Sequence, residues 1–236
     1  LDWKFYPEKN TLFYSFNVLG TTPIYILPRT IGFSMESSFQ AWFFIVEVLN
    51  AIAFIYLLKT LNISPLIGYP LTFSAVSASA FVYKIGQPQL LAMFAFFFGL
   101  ACLVKFIREP NYRSLLWFGF WGVYQHYCSI YQGFFGSLII CIFLILNFLL
   151  SEKQKYLEAL AFLKKRKVFL SVLTTIICLF LFALYFPYYQ AMQSFGSRSM
   201  QELEILAPRL SAWFSASPHS MLYSELNFLD GESNPY

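Results

Sequence analysis

Charge is what this chain has least of. Its 236 residues include 16 Lys and Arg and 12 Asp and Glu, 12% in all, against the ~25% of a water-soluble domain. So few charged groups cannot cover a water-facing surface, which excludes a soluble enzyme and a nucleic-acid binder. With 58% of residues hydrophobic, the composition is also the opposite of a disordered segment. Metal-binding and redox residues are scarce too. There are two histidines and four cysteines, and Cys102, Cys128, Cys141 and Cys178 each lie within an apolar run, where cysteine acts as a small hydrophobe. No His, Cys or Asp residues stand at ligand spacing, so no structural metal and no cofactor is expected, with a divalent metal at an active site left open. An opening Met and a signal sequence are missing: the chain starts Leu1-Asp2-Trp3 and stops at Pro235-Tyr236. The expectation is a fragment of a longer protein.

Apolar and aromatic surface is abundant. Twenty-nine Phe and 16 Tyr help bring aromatics to 21%, and mean hydropathy is +0.58. A soluble fold of this size buries only about 70–75% of its area, too little to hide such a surface. The expected fold class is therefore an all-α integral membrane protein. A spanning helix needs about 20 mainly apolar residues, and six segments qualify, at 39–58, 63–82, 88–106, 114–131, 134–150 and 168–187. Between the fourth and fifth, Tyr131-Gln132-Gly133-Phe134-Phe135-Gly136 is the natural hairpin, because glycine supplies turns.

The net charge of +4 is read loop by loop. Lys105, Arg108 and Arg113 flank one connection, and Lys153, Lys155, Lys164, Lys165, Arg166 and Lys167 fill another. A two-helix hairpin separates them, so both lie on one side, which the positive-inside rule makes cytoplasmic. That leaves a first outer loop at 1–38, a six-helix bundle at 39–187 and an outer loop or lid at 188–236. Within the first loop, 11–33 is apolar but broken by Pro23, Pro28 and Arg29; it is expected as a pair of short interfacial helices, with a seventh span as the alternative. In the tail, Ser199-Met200-Gln201-Glu202 is a capping box that should start a short helix.

Several segments, in this order and spacing, resemble a known family. They are Asp2-Trp3 leading to Phe5-Tyr6-Pro7 and Asn10, then Leu19-Gly20, then Gly86-Gln87-Pro88-Gln89-Leu90-Leu91. Tyr124-Gln125 and Ser129-Ile130-Tyr131-Gln132-Gly133 follow, then Arg198-Ser199-x-x-Glu202, Trp213-Phe214, Ser217-Pro218-His219-Ser220-x-Leu222-Tyr223 and Gly231-Glu232. The chain resembles a bacterial branch of the GT-C superfamily of multi-pass membrane glycosyltransferases along nearly its whole length. The resemblance implies a hexosyl- or pentosyltransferase of the bacterial inner membrane, taking part in cell-envelope synthesis. It would move a sugar from a polyprenyl-phosphate donor to a glycan, lipid or protein acceptor on the periplasmic side. It also implies a first span upstream of this sequence, with the main catalytic base an Asp or Glu of the first outer loop just after that span.

Such chemistry needs a carboxylate to activate the acceptor hydroxyl and cations to hold the leaving phosphate. Asp2 is the acid of the first loop, with a solvated surface acid as its plain reading. Lys84, Gln87 and Gln89 stand at the outer end of a helix hairpin and Arg198 just beyond the last span, a candidate set for donor phosphate; Arg198 has the fork that suits phosphate oxygens. Relatives often carry His at the position of Gln87, which as an amide hydrogen-bonds but does not titrate. Lys84 also reads as a snorkelling anchor, and Glu202 as a helix cap. Within the spans, Glu47 and Asn50 share a helix face, and an intramembrane acid marks a functional site by default; His126 is the candidate partner of Glu47. Two other classes stay open: a transporter or flippase for lipid-linked glycans, and a non-catalytic assembly protein. Membrane lipids are partners in every case.

Overall fold

The computed structural model describes residues 18–80, 90–150 and 153–195, and every regular element among them is helical. A 3-10 turn at Leu19–Thr21 leads into α1 (Thr22–Thr30), followed by α2 (Met35–Thr60), α3 (Pro65–Ala80), α4 (Phe94–Arg108) and α5 (Tyr112–Cys128). Then come α6 (Ile130–Leu150), α7 (Lys153–Lys165) and α8 (Lys167–Phe195). The chain divides into two compact units, 1–191 and 192–236; the second is described only at the last residues of α8.

Local chemistry sets the helix ends. Ser34 is extended and its side chain accepts from the Ser37 N–H at 3.1 Å, capping α2; Asn111 does the same for Ser114 at 2.9 Å ahead of α5. α2 stops at Asn62, which takes a left-handed φ of 61°. The Ile63 N–H turns back to the Leu58 carbonyl at 2.9 Å, and Pro65 opens α3.

α2, α6 and α8 are long and apolar enough to cross a membrane. This is a membrane protein. α3, α4 and α5 have 16, 15 and 17 described residues, which at ~1.5 Å per residue gives ~24, ~22 and ~25 Å, short of the ~30 Å hydrocarbon core.

Three boundaries differ from the sequence expectations. Within the span expected at 88–106, the described residues 90–93 are not α-helical and α4 begins at Phe94; side chains from other helices bind the backbone there. The turn expected at Tyr131–Gly136 falls instead at Ser129, which is extended and buried; its hydroxyl accepts from the Gln132 N–H at 3.3 Å and caps α6. Gly133 and Gly136 lie inside α6, where they serve close packing. A Cβ on Gly133 would meet the His126 ring at 2.5 Å, and one on Gly136 would meet Phe96 at 2.9 Å. Finally, the basic connection at 151–167 contains α7. Its Tyr156 packs on Leu103 and Ile107, and its Ala159 packs with Phe106 and Leu115. The basic residues of α7 thereby join Lys105, Arg108 and Arg113 at one end of the bundle.

α4 lies at the centre between α2 and α5. The main core gathers Trp42, Val46 and Ala53 of α2, Leu91, Ala92, Phe94 and Ala95 at the start of α4, and Cys128 of α5. α2 and α4 run parallel: Asn50 sits beside Met93, while at the other end Arg108 Nη1 donates to the Thr60 carbonyl and Lys105 Nζ donates to the Tyr56 hydroxyl at 2.6 Å.

Candidate functional site

The deepest polar chemistry surrounds the four residues that precede α4. Asn50 lies about 22 Å along α2 from Met35, well inside an apolar helix, and is 5% exposed. Its amide binds backbone at both ends: Nδ2 donates to the Leu91 carbonyl at 2.9 Å, and Oδ1 accepts from the Met93 N–H at 2.9 Å. Gln125 of α5 repeats the device. Its Nε2 donates to the Ala92 carbonyl at 2.8 Å and its Oε1 accepts from the Phe96 N–H at 2.9 Å. Gln132 of α6 donates to the Leu90 carbonyl at 3.2 Å. Backbone that leaves the helix at membrane depth must find partners within the protein; here three amide side chains from three helices supply them.

A second irregular segment meets the same region. The Tyr124 hydroxyl donates to the Gly20 carbonyl at 2.7 Å. Gly20 lies so close to α5 that a Cβ would stand 2.7 Å from the Cys128 backbone nitrogen, so only glycine fits. Next to it Thr21 is fully buried, and its hydroxyl donates to the Val18 carbonyl at 3.1 Å.

The two intramembrane titratable candidates have their own partners. Glu47 Oε2 accepts from Asn50 Nδ2 at 3.3 Å, which connects the carboxyl to the amide set. His126 Nδ1 lies 2.8 Å from the Tyr185 hydroxyl of α8, and Nε2 lies 3.4 Å from Ser137 Oγ. Ser137 in turn donates to the Gly133 carbonyl at 2.8 Å. This arrangement suits the neutral Nε2–H tautomer, with the tyrosine donating to Nδ1. The remaining expected site residues, Asp2, Lys84, Gln87, Gln89 and Arg198, lie outside the described residues, as does the capping box at 199–202.

Sequence reading singled out Glu47 and His126 because a charge screen finds ionisable groups within apolar runs. It did not place Gln125, Gln132 or Tyr185 in a site. The available signal was the neutral amide: a Gln within a span also needs partners, and asking for them would have flagged Gln125 and Gln132 alongside Asn50. Among the described residues, no group of three or more His, Cys, Asp and Glu is placed to hold a metal ion.

No family model, no curated protein and no solved structure matches the chain.

Proposed function

We propose that this chain is part of a membrane glycosyltransferase that moves a sugar from a polyprenyl-phosphate donor to an acceptor at the outer face of a bacterial inner membrane. One observation supports this reading over the others. Segments that carry the family resemblance, far apart in sequence, meet at one place: Gly20 with Tyr124, Leu90 with Gln132, and Ala92, next to Leu91, with Gln125. A motif set that is only loose in sequence thus becomes a single assembly in space. In that assembly, rigidly held backbone before α4 would present the preceding outer segment, with Lys84, Gln87 and Gln89, to the donor phosphate. Arg198 would supply the second cation, and an acid of the outer loops, Asp2 or one upstream, would activate the acceptor hydroxyl. The step breaks the bond between sugar and phosphate through an oxocarbenium-like state, so stabilising the departing phosphate is where charge-assisted hydrogen bonds act most strongly.

The test uses the full-length protein in proteoliposomes with a radiolabelled polyprenyl-phosphate sugar. Arg198→Ala and Lys84→Ala should each lower transfer about 10-fold or more, as expected for a lost charged contact of ~1.5–3 kcal/mol, with the protein still folded. Unchanged transfer in both variants overturns the phosphate site.

A second reading, a flippase for lipid-linked glycans, is favoured by the non-helical start of α4, since transporters use interrupted helices at membrane depth. Movement of a fluorescent lipid-linked sugar between leaflets, without transfer to any acceptor, would decide for it.

A further inference from the structure

The basic connection at 151–167 carries a surface that neither the bundle nor the proposed transfer uses. One side of α7 is anchored through Tyr156 and Ala159 to the ends of α4 and α5. Beside that anchored side, Leu157 and Leu160 are 55% and 46% exposed. Being three residues apart, they lie one above the other on the helix, and Lys164 follows four residues later on the same face. Glu158, the single acid of α7, points away from that face and accepts from Gln154 at 3.2 Å. Lys165, Arg166 and Lys167 follow, all exposed, then Val168, 79% exposed. The Arg166 guanidinium stands over the rings of Tyr112 and Phe162, 5.1 and 5.9 Å from their centroids. This ties the junction of α7 and α8 to the first residue of α5.

Exposed leucines bordered by lysines, with Lys164 in line with them, Lys165 about a quarter-turn round on the side of Glu158 and Lys167 just past the helix end, form the pattern of a helix lying in the plane of a membrane surface, its apolar stripe inward and its cations at the border. Water would satisfy the lysines and leave the leucines exposed. A layer of anionic headgroups satisfies both, offering phosphates to the ammonium groups and an acyl boundary to the leucines.

We propose that α7 is a docking surface for anionic lipid. Leu157 and Leu160 enter the headgroup–acyl boundary of the inner leaflet, and Lys164, Lys165 and Lys167 bind lipid phosphates. The contact fixes the depth at which α4 ends and α8 begins. It rests on the charge and exposure of α7 alone and is independent of any transferase activity.

The experiment is amide hydrogen exchange over 154–167 in the full chain, in nanodiscs of phosphatidylcholine and in nanodiscs of equal phosphatidylcholine and phosphatidylglycerol. Exchange should be at least about threefold slower in the anionic discs, since each cation near such a surface strengthens attraction about fivefold. The triple variant Lys164→Gln, Lys165→Gln, Lys167→Gln, which leaves the stacked Arg166 in place, should abolish that difference. Leu157→Ser with Leu160→Ser should speed exchange in the anionic discs. Equal exchange of the unaltered chain in the two discs overturns the proposal. So does a lipid-dependent difference that survives the triple variant, or a leucine variant that exchanges like the unaltered chain.

Discussion

The centre of the bundle and its flank solve different problems. Where α2, α4 and α5 meet, small and large apolar side chains interlock around backbone that is not helical, and amides replace the missing helical hydrogen bonds. At the flank, only 11% of the most apolar stretch of α6 and 6% of that of α8 is buried by the rest of the chain. Outside their ends and Pro187 of α8, those helices satisfy their backbone groups internally and leave an apolar surface of the kind that lipid covers. Polarity in this protein is therefore concentrated where the backbone departs from the helix. Apolar surface is concentrated where the backbone keeps to it.

Substitutions can break or sharpen that contrast. The largest effect should come from Asn50→Leu, which fills the site with a side chain of similar size and leaves the Leu91 carbonyl and the Met93 N–H without their partners. At about 1–3 kcal/mol per buried orphaned group, the loss should reach about 2–6 kcal/mol in a denaturant titration of the detergent-solubilised protein. A loss below ~1 kcal/mol would mean the amide is dispensable and the contrast false. Gly20→Ala should come next. Its new Cβ would press on the backbone of Cys128, and overpacking of this kind costs about 1–3 kcal/mol. A variant as stable as the parent would show that the Val18–Thr21 turn moves freely against α5. Leu179→Ala on α8, at a position 61% exposed, should change stability by less than about 0.5 kcal/mol. A loss comparable to that of Asn50→Leu would reveal a protein neighbour on α8 in place of lipid.

How much of this could be read beforehand depends on whether the deciding partner is near in sequence. The spans that became α2, α6 and α8 were legible because length and hydropathy are local properties. The start of α4 was not: Leu90, Leu91 and Ala92 are apolar and count as spanning residues, yet they are not α-helical, and their carbonyls are bound by amides 33 to 42 residues away. The α5–α6 corner was misplaced for a related reason. Glycines suggest a turn, but Gly133 and Gly136 answer to His126 and Phe96, and Ser129 can turn the chain because its hydroxyl caps the next helix. α7 was visible only as a run of lysines. Its spacing of Tyr156, Ala159 and Leu163 was a helical signal that the charge pattern overshadowed. Within the site, Glu47, Asn50 and His126 stood out because of their chemistry, whereas which groups each of them binds is tertiary information.

The amide device also has a consequence in time. A chain enters the membrane in the order in which it is made, and α4 emerges before α5 and α6 exist. Until Gln125 and Gln132 are synthesised, the carbonyls of Ala92 and Leu90 and the N–H of Phe96 must be hydrated or borrow temporary partners. At about 5–20 residues per second that interval lasts roughly two to eight seconds. For that time the future centre of the bundle is its least settled part, held on one side by Asn50 alone. Its completion waits until the α5–α6 corner has been made and closes over it.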